Sequence, residues 1–214
     1  MKPGQMPVVV YVEGGGDTEL LRRALHEAFS AYFGRTHLGN KRRPRMVASG
    51  SRQNAFDDFR TAKSQGKPAL LLVDSEDAVD AQCQLPVARP DQSKPWAHLA
   101  NRDSWNKPSH ATESDCHLMT QCMESWLVCD WETVKRYFGQ GFASKHGPKG
   151  GIEAISKADV LELLKNASKR SKTKGEYQKG RDSFKLLAEI DPAMVCAASP
   201  WAKRFVDELG RRKS

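Results

Sequence analysis

The sequence predicts an α/β fold with a mostly parallel central sheet, flanking helices and a helical C-terminal extension. Three observations carry that prediction. Two short, uninterrupted apolar runs, Val8-Val9-Val10-Tyr11-Val12 and Ala69-Leu70-Leu71-Leu72-Val73, have the pattern of strands buried on both faces. Helically spaced segments separate them, which implies parallel pairing through right-handed crossovers. Each run ends on carboxylates, Glu13 ahead of Gly14-Gly15-Gly16-Asp17, and Asp74 within Asp74-Ser75-Glu76-Asp77. Ligands of open α/β sheets gather at the carboxyl ends of the strands.

The elements follow in order. After the first strand, segment 17–33 sets Leu21, Leu25, Ala28, Phe29 and Tyr32 on one helical stripe, with Asp17 or Thr18 placed to cap it. Residues 45–50 read as a short strand. Residues 53–64, with Ala55, Phe56, Phe59 and Ala62, read as a helix ended by Gly66 and Pro68. Residues 78–116 carry Pro86, Pro90, Pro95 and Pro108 and read as a long irregular insertion that Trp96, Leu99 and Trp105 pack down. A strand is expected over 117–123, then a helix from Glu124 through Phe138, which puts a third acid at a strand–helix junction. Residues 139–151 read as a Gly-rich linker. Helices are expected at 157–167, 184–190 and 200–209, the last with Ser199 as N-cap, Pro200 at its first position and Gly210 beyond its end. The expected organisation is an α/β domain over 1–138 and a helical extension over 139–214.

Composition bounds the partners. Hydrophobic content of 39% in 214 residues suffices for one core, and no apolar run is long enough to cross a bilayer. Five cysteines without framework spacing fit a reducing cytoplasm, and no secretory leader pattern is present. A net charge of +8 favours polyanionic partners. Much of the charge lies in Lys41-Arg42-Arg43-Pro44-Arg45 and in 165–181, where seven Lys or Arg face one acid, Glu176. Such stretches serve as phosphate-backbone contacts or as solvated loops.

Glu13, Asp74, Glu76, Asp77 and Glu124 come from three junctions that a parallel sheet brings to one edge. Clustered carboxylates repel unless a cation neutralises them, and Mg²⁺ and Mn²⁺ take hard oxygen ligands. The expected chemistry is metal-dependent phosphodiester hydrolysis on DNA or RNA. Glu13, Asp74 and Asp77 are the expected ligands, with Glu76 as substitute. Glu124 is expected as a second-metal ligand or general base. Arg52, Lys157, Lys179 and Arg181 are the expected phosphate contacts. Cys116, His117, Cys122 and Cys129 lack paired zinc-ligand spacing and read as core residues. The five tryptophans read as packing residues.

Val12-Glu13-Gly14, with Asp17, and Val73-Asp74-Ser75-Glu76-Asp77 resemble the two acidic motifs of the Toprim domain of topoisomerases, DnaG-type primases and OLD-family nucleases. The Glu-Gly motif matches well. The second motif departs from Asp-x-Asp, with Glu76 at its third position and Asp77 one residue later. Residues 117–126 and Tyr177-Gln178-Lys179-Gly180-Arg181 further resemble short Toprim-like proteins encoded beside AAA/ABC-type ATPases in bacterial and phage-defence neighbourhoods. The resemblance implies a Mg²⁺-dependent nuclease subunit with an ATPase partner. A non-catalytic Toprim-like regulatory or partner-binding module is the alternative reading.

Overall fold

A computed structural model describes residues 7–16, 18–39, 44–84, 92–148 and 151–212. Asp17, the basic residues 41–43, and Pro86 and Pro90 of the insertion lie outside the described residues. Four strands form one all-parallel sheet in the order β2-β1-β3-β4: β1 (Val9–Val12), β2 (Arg45–Ala48), β3 (Ala69–Asp74) and β4 (Cys116–Met119). β1 is central, pairing Val10 with both Met46 and Leu70, while β3 pairs Leu72 with His117. The C-terminal ends of β1 and β3, where Glu13 and Asp74 sit, are therefore adjacent.

Alternation of side chains assigns each strand residue to one of two layers. Val10, Val12, Leu70, Leu72 and Met119 face one apolar layer, which holds α1 (Glu19–Gly34) and most of the C-terminal helices. Ala69, Leu71, Val73, Cys116 and Leu118 face the other, beneath α2 (Arg52–Ser64) and α3 (Pro95–Asp103). All six residues of β3 are buried, as its unbroken apolar run requires. Thr18 caps α1 by accepting from the Leu21 amide at 3.3 Å, and Ser51 caps α2 by accepting from Asn54 at 3.1 Å.

The structure departs from expectation in four places. The insertion contains α3, seated by Trp96 and Leu99, with Trp105 stacked on Phe56 at 4.5 Å. β4 ends at Met119. The helix expected from Glu124 is two helices, α4 (Glu124–Leu127) and α5 (Trp131–Phe138), because Asp130 starts a new helix by accepting from the Thr133 amide at 3.1 Å. Residues 139–148 are packed down: the Trp131 indole donates to the Ser144 carbonyl at 2.9 Å, and Phe142 stacks on Phe138 at 5.7 Å.

The C-terminal segment carries α6 (Lys157–Ser168), α7 (Ser183–Glu189), α8 (Pro192–Ala198) and α9 (Pro200–Arg212). α8 was not expected, although Asp191-Pro192 is a readable start, and Asp191 caps it by accepting from Ala193 at 2.8 Å. Ser199 caps α9 by accepting from Ala202 at 3.1 Å. Gly210 does not end that helix. Arg212 continues it and pairs with Glu208 at 2.6 Å and Asp115 at 2.9 Å. Leu164, Leu186, Val195 and Phe205 share the apolar cluster of Val10 and Leu70, so residues 139–212 roof one face of the sheet. Among the described residues, no helix is long and apolar enough to cross a membrane.

Candidate metal centre

Glu13 follows β1 and is released from the sheet by the glycine turn. Gly14 pairs in both directions with Gly50, at 2.8 and 3.0 Å. Gly15 has φ +82°, and a Cβ there would meet the Arg22 Cα at 2.9 Å, so only glycine fits. The turn holds the Glu13 carboxylate at the sheet edge, where Arg52 binds it at 2.9 Å. Arg52, first residue of α2, is itself fixed by Asp103 at 3.1 and 2.7 Å, by the Asp74 carbonyl, and by the Trp105 ring at 4.9 Å from its guanidinium carbon. Sequence reasoning missed Asp103, because it sits in the segment read as irregular.

Asp74 closes β3 and is buried, 4% exposed. Its Oδ1 accepts from the Met123 amide at 2.8 Å, and its Oδ2 lies 3.3 Å from Lys157 Nζ. Burial raises its carboxyl well above the ordinary carboxylate range. Glu13 and Glu124 add to the rise, against Lys157 and Lys179.

Glu76, two residues on, adopts φ +68°, a left-handed conformation uncommon for a residue with a Cβ. That turn brings its carboxylate back to Lys157, at 2.7 and 2.8 Å, and swings Asp77 outward. Glu13, Asp74 and Glu76 each present an oxygen within 4.8 Å of the other two. Asp77, an expected ligand, stands apart: its side chain is 76% exposed and pairs with Arg102 at 3.2 Å. The backbone inversion at Glu76 is the physical reason that the substitute residue, Glu76, takes its place.

Glu124 is also outside the trio. Its carboxylate is fully buried at the start of α4, accepts from the Tyr177 hydroxyl at 3.3 Å, and has Lys179 Nζ at 3.6 Å from its other oxygen. Of the expected phosphate contacts, Arg52 and Lys157 lie on the trio and Lys179 on Glu124. Arg181 does not join them. Its guanidinium is bound to Asp182 at 2.9 and 2.7 Å, with further bonds to the Lys174 and Glu176 carbonyls.

Between the trio and Glu124 lies a cavity of about 240 Å³, lined by Glu13, Asp74, Glu124, Lys179 and residues 14–16, with apolar side chains behind them. The trio is chemically a hard-cation site, with three carboxylates on two adjacent strand ends. Burial opposes charge on Lys157, yet Asp74 and Glu76 raise its pKa above the ordinary lysine value. Its ammonium and the Arg52 guanidinium offset part of the negative charge.

A single parallel sheet with a carboxylate-lined edge over a small cavity defines an α/β protein with a ligand site at the strand termini. The chain belongs to the family described as "Domain of unknown function (DUF4276)", which it matches over residues 12–210. No curated protein and no solved structure matches it.

Proposed function

We propose that this chain binds Mg²⁺ or Mn²⁺ through Glu13, Asp74 and Glu76 and hydrolyses phosphodiester bonds in DNA or RNA, as the effector of an AAA/ABC-type ATPase partner in anti-phage defence. The observation that carries the reading is the convergence of the three carboxylates within 4.8 Å, with Asp74 held buried beside Glu13 at the cost of a raised pKa. A protein keeps such a repulsive cluster where a cation offsets it. The bound ion would polarise the phosphodiester and lower the pKa of a water nucleophile. Arg52 orients Glu13, the Met123 amide orients Asp74, and Lys157 and Lys179 offer ammonium groups to a phosphate. The basic stretch 165–181 leads to this edge, since Lys179 lines the cavity. The ATPase and the defence role rest on the resemblance to Toprim-like proteins alone.

One observation favours the non-catalytic alternative, in which the site binds a partner or regulates without cutting. Arg52 and Lys157 already ion-pair all three carboxylates, as a permanent structural network would. The deciding experiment is cleavage of plasmid, single-stranded DNA and total tRNA with Mg²⁺ or Mn²⁺, with and without the neighbouring ATPase. Wild type is compared with Glu13→Gln. Metal-dependent cutting by wild type, lost in a folded Glu13→Gln, is expected. Cutting that survives the substitution, or none by wild type under any condition, transfers the reading to the binding module.

A further inference from the structure

The cavity beside the trio has a second character that the metal reading leaves unused. Its inner wall is apolar, built from Leu21 and Leu25 of α1, Met119 and Met123 near the end of β4, and Phe184 of α7. Set into that wall is Glu124, whose side chain is fully buried. One carboxylate oxygen accepts from Tyr177, and the other, Oε2, has no hydrogen-bond donor. Lys179 Nζ, at 3.6 Å from Oε2, lies beyond hydrogen-bonding distance and belongs to a half-exposed side chain. A buried anionic oxygen without a donor is costly, and the cost is relieved by a ligand that brings one.

The shape and chemistry select the ligand. At about 240 Å³ the cavity is smaller than the roughly 300–1,000 Å³ of pockets for drug-sized ligands, and suits a single ring system. Apolar walls suit the faces of a planar ring, and one free carboxylate oxygen asks for one N–H donor at its edge. Glu13 and Asp74 border the same space. A ring held there adjoins whatever the trio holds.

We propose that this cavity is a subsite for one unstacked nucleobase that carries an exocyclic amino group (adenine, guanine or cytosine), donated to Glu124 Oε2. The assignment rests on the phosphodiesterase reading for its placement in a nucleic acid, and it deepens that reading. The base belongs to the nucleotide whose phosphate reaches the carboxylate trio. Uracil and thymine lack the amino donor at that edge and leave Oε2 unpaired.

The test separates the subsite from the catalysis. Free adenosine, guanosine, cytidine and uridine, which carry no phosphate, are titrated into the full chain by calorimetry in chelator. The proteins are wild type, Glu13→Gln, Glu124→Gln and Leu21→Trp. Wild type should bind at least one amino-bearing nucleoside roughly tenfold or more tightly than uridine. Glu13→Gln should bind as wild type does. Glu124→Gln should lose the preference for cytidine over uridine, because an amide both donates and accepts. Leu21→Trp, at a half-buried rim position, should block binding by filling the space, independently of Glu124. Equal affinity for all four nucleosides overturns the assignment, as does absence of binding. Two Mn²⁺ ions per wild-type chain and one in Glu124→Gln would show that a cation is the occupant, and would also overturn it. Absence of nucleoside binding alongside cleavage that Glu13→Gln abolishes removes the subsite and leaves the nuclease. Nucleoside selectivity without any cleavage does the reverse.

Discussion

Asp74 and Asp115 are buried aspartates at opposite ends of the same sheet, and their surroundings differ in kind. Asp115 sits just before β4, 1% exposed. It accepts from the Thr112 amide at 2.7 Å and the Thr112 hydroxyl at 3.0 Å, and it pairs with Lys63 at 3.1 Å and Arg212 at 2.9 Å. Burial works against its charge, but the Thr112 bond and the two cations win, and its pKa falls below the ordinary value. At Asp74 burial wins, because Glu13 and Glu124 add repulsion that Lys157 and Lys179 do not cancel. A carboxylate whose partners are complete ties a fold together. One whose charge is left in deficit of partners is kept for a ligand the fold does not itself supply.

The largest expected contrast is in stability. Asp115→Asn should destabilise the chain by roughly 2–4 kcal/mol, since it strands two cations that are mostly covered while keeping the Thr112 contacts. Asp74→Asn removes repulsion and should leave neutral-pH stability unchanged or raised, while metal binding by calorimetry is lost. Urea unfolding of both variants in chelator measures the difference. Equal destabilisation by the two substitutions would make Asp74 a structural ion-pair member and end the contrast.

Lys157 sharpens it at the site itself. Its ammonium bridges Asp74 and Glu76, where a cation would sit. Lys157→Met should therefore tighten Mn²⁺ binding by roughly tenfold, through loss of competing charge, while cleavage falls through loss of a phosphate contact. Tighter binding together with undiminished cleavage would reduce Lys157 to a placeholder. Weaker binding would contradict the competition.

The pH dependence of the two aspartates should have opposite sign. Both start from an ordinary value of 3.8. Asp115 has a depressed folded pKa, so its contribution is present above 3.8 and is lost as pH falls through the folded value. Asp74 has a raised folded pKa. Its contribution is full below 3.8 and is lost as pH rises through the folded value. In chelator, the stability of wild type relative to Asp115→Asn should shrink on acidification below about pH 4. Relative to Asp74→Asn it should shrink as pH rises above that point. Parallel profiles would mean that the two environments are alike.

How much of this was legible in the sequence follows from the range of the interactions. β1 and β3 were legible because an unbroken apolar run is a local signal, and their carboxylates came with them. Glu13 and Asp74 share an edge because parallel order demands it. The helices in which α3 and α8 lie were not read, since α3 is fixed by Trp96 and Leu99 packing under the sheet rather than by its own proline-rich sequence. The break between α4 and α5 depends on Asp130, whose second oxygen accepts from the Asp191 amide at 3.0 Å, sixty-one residues away. Asp103, which anchors Arg52, gave no signal. Lys157 and Lys179 were named for their charge, and only the fold could bring them to the carboxylates while tying Arg181 to Asp182.

The smallest expected effect tests the one choice that the sequence left open. Asp77 and Glu76 are neighbours of like charge, and the φ of +68° at Glu76 decides which faces the trio. Asp77→Ala removes an exposed carboxylate paired only with Arg102 on a surface where such pairs contribute little. Its unfolding midpoint and its Mn²⁺ affinity should both match wild type. Glu76→Gly, at the same turn, should relieve left-handed strain and hold or slightly raise stability while weakening Mn²⁺ binding. That split between stability and affinity marks a ligand. An Asp77→Ala variant that lost Mn²⁺ binding would show that the loop inverts when metal arrives and that Asp77, after all, faces inward.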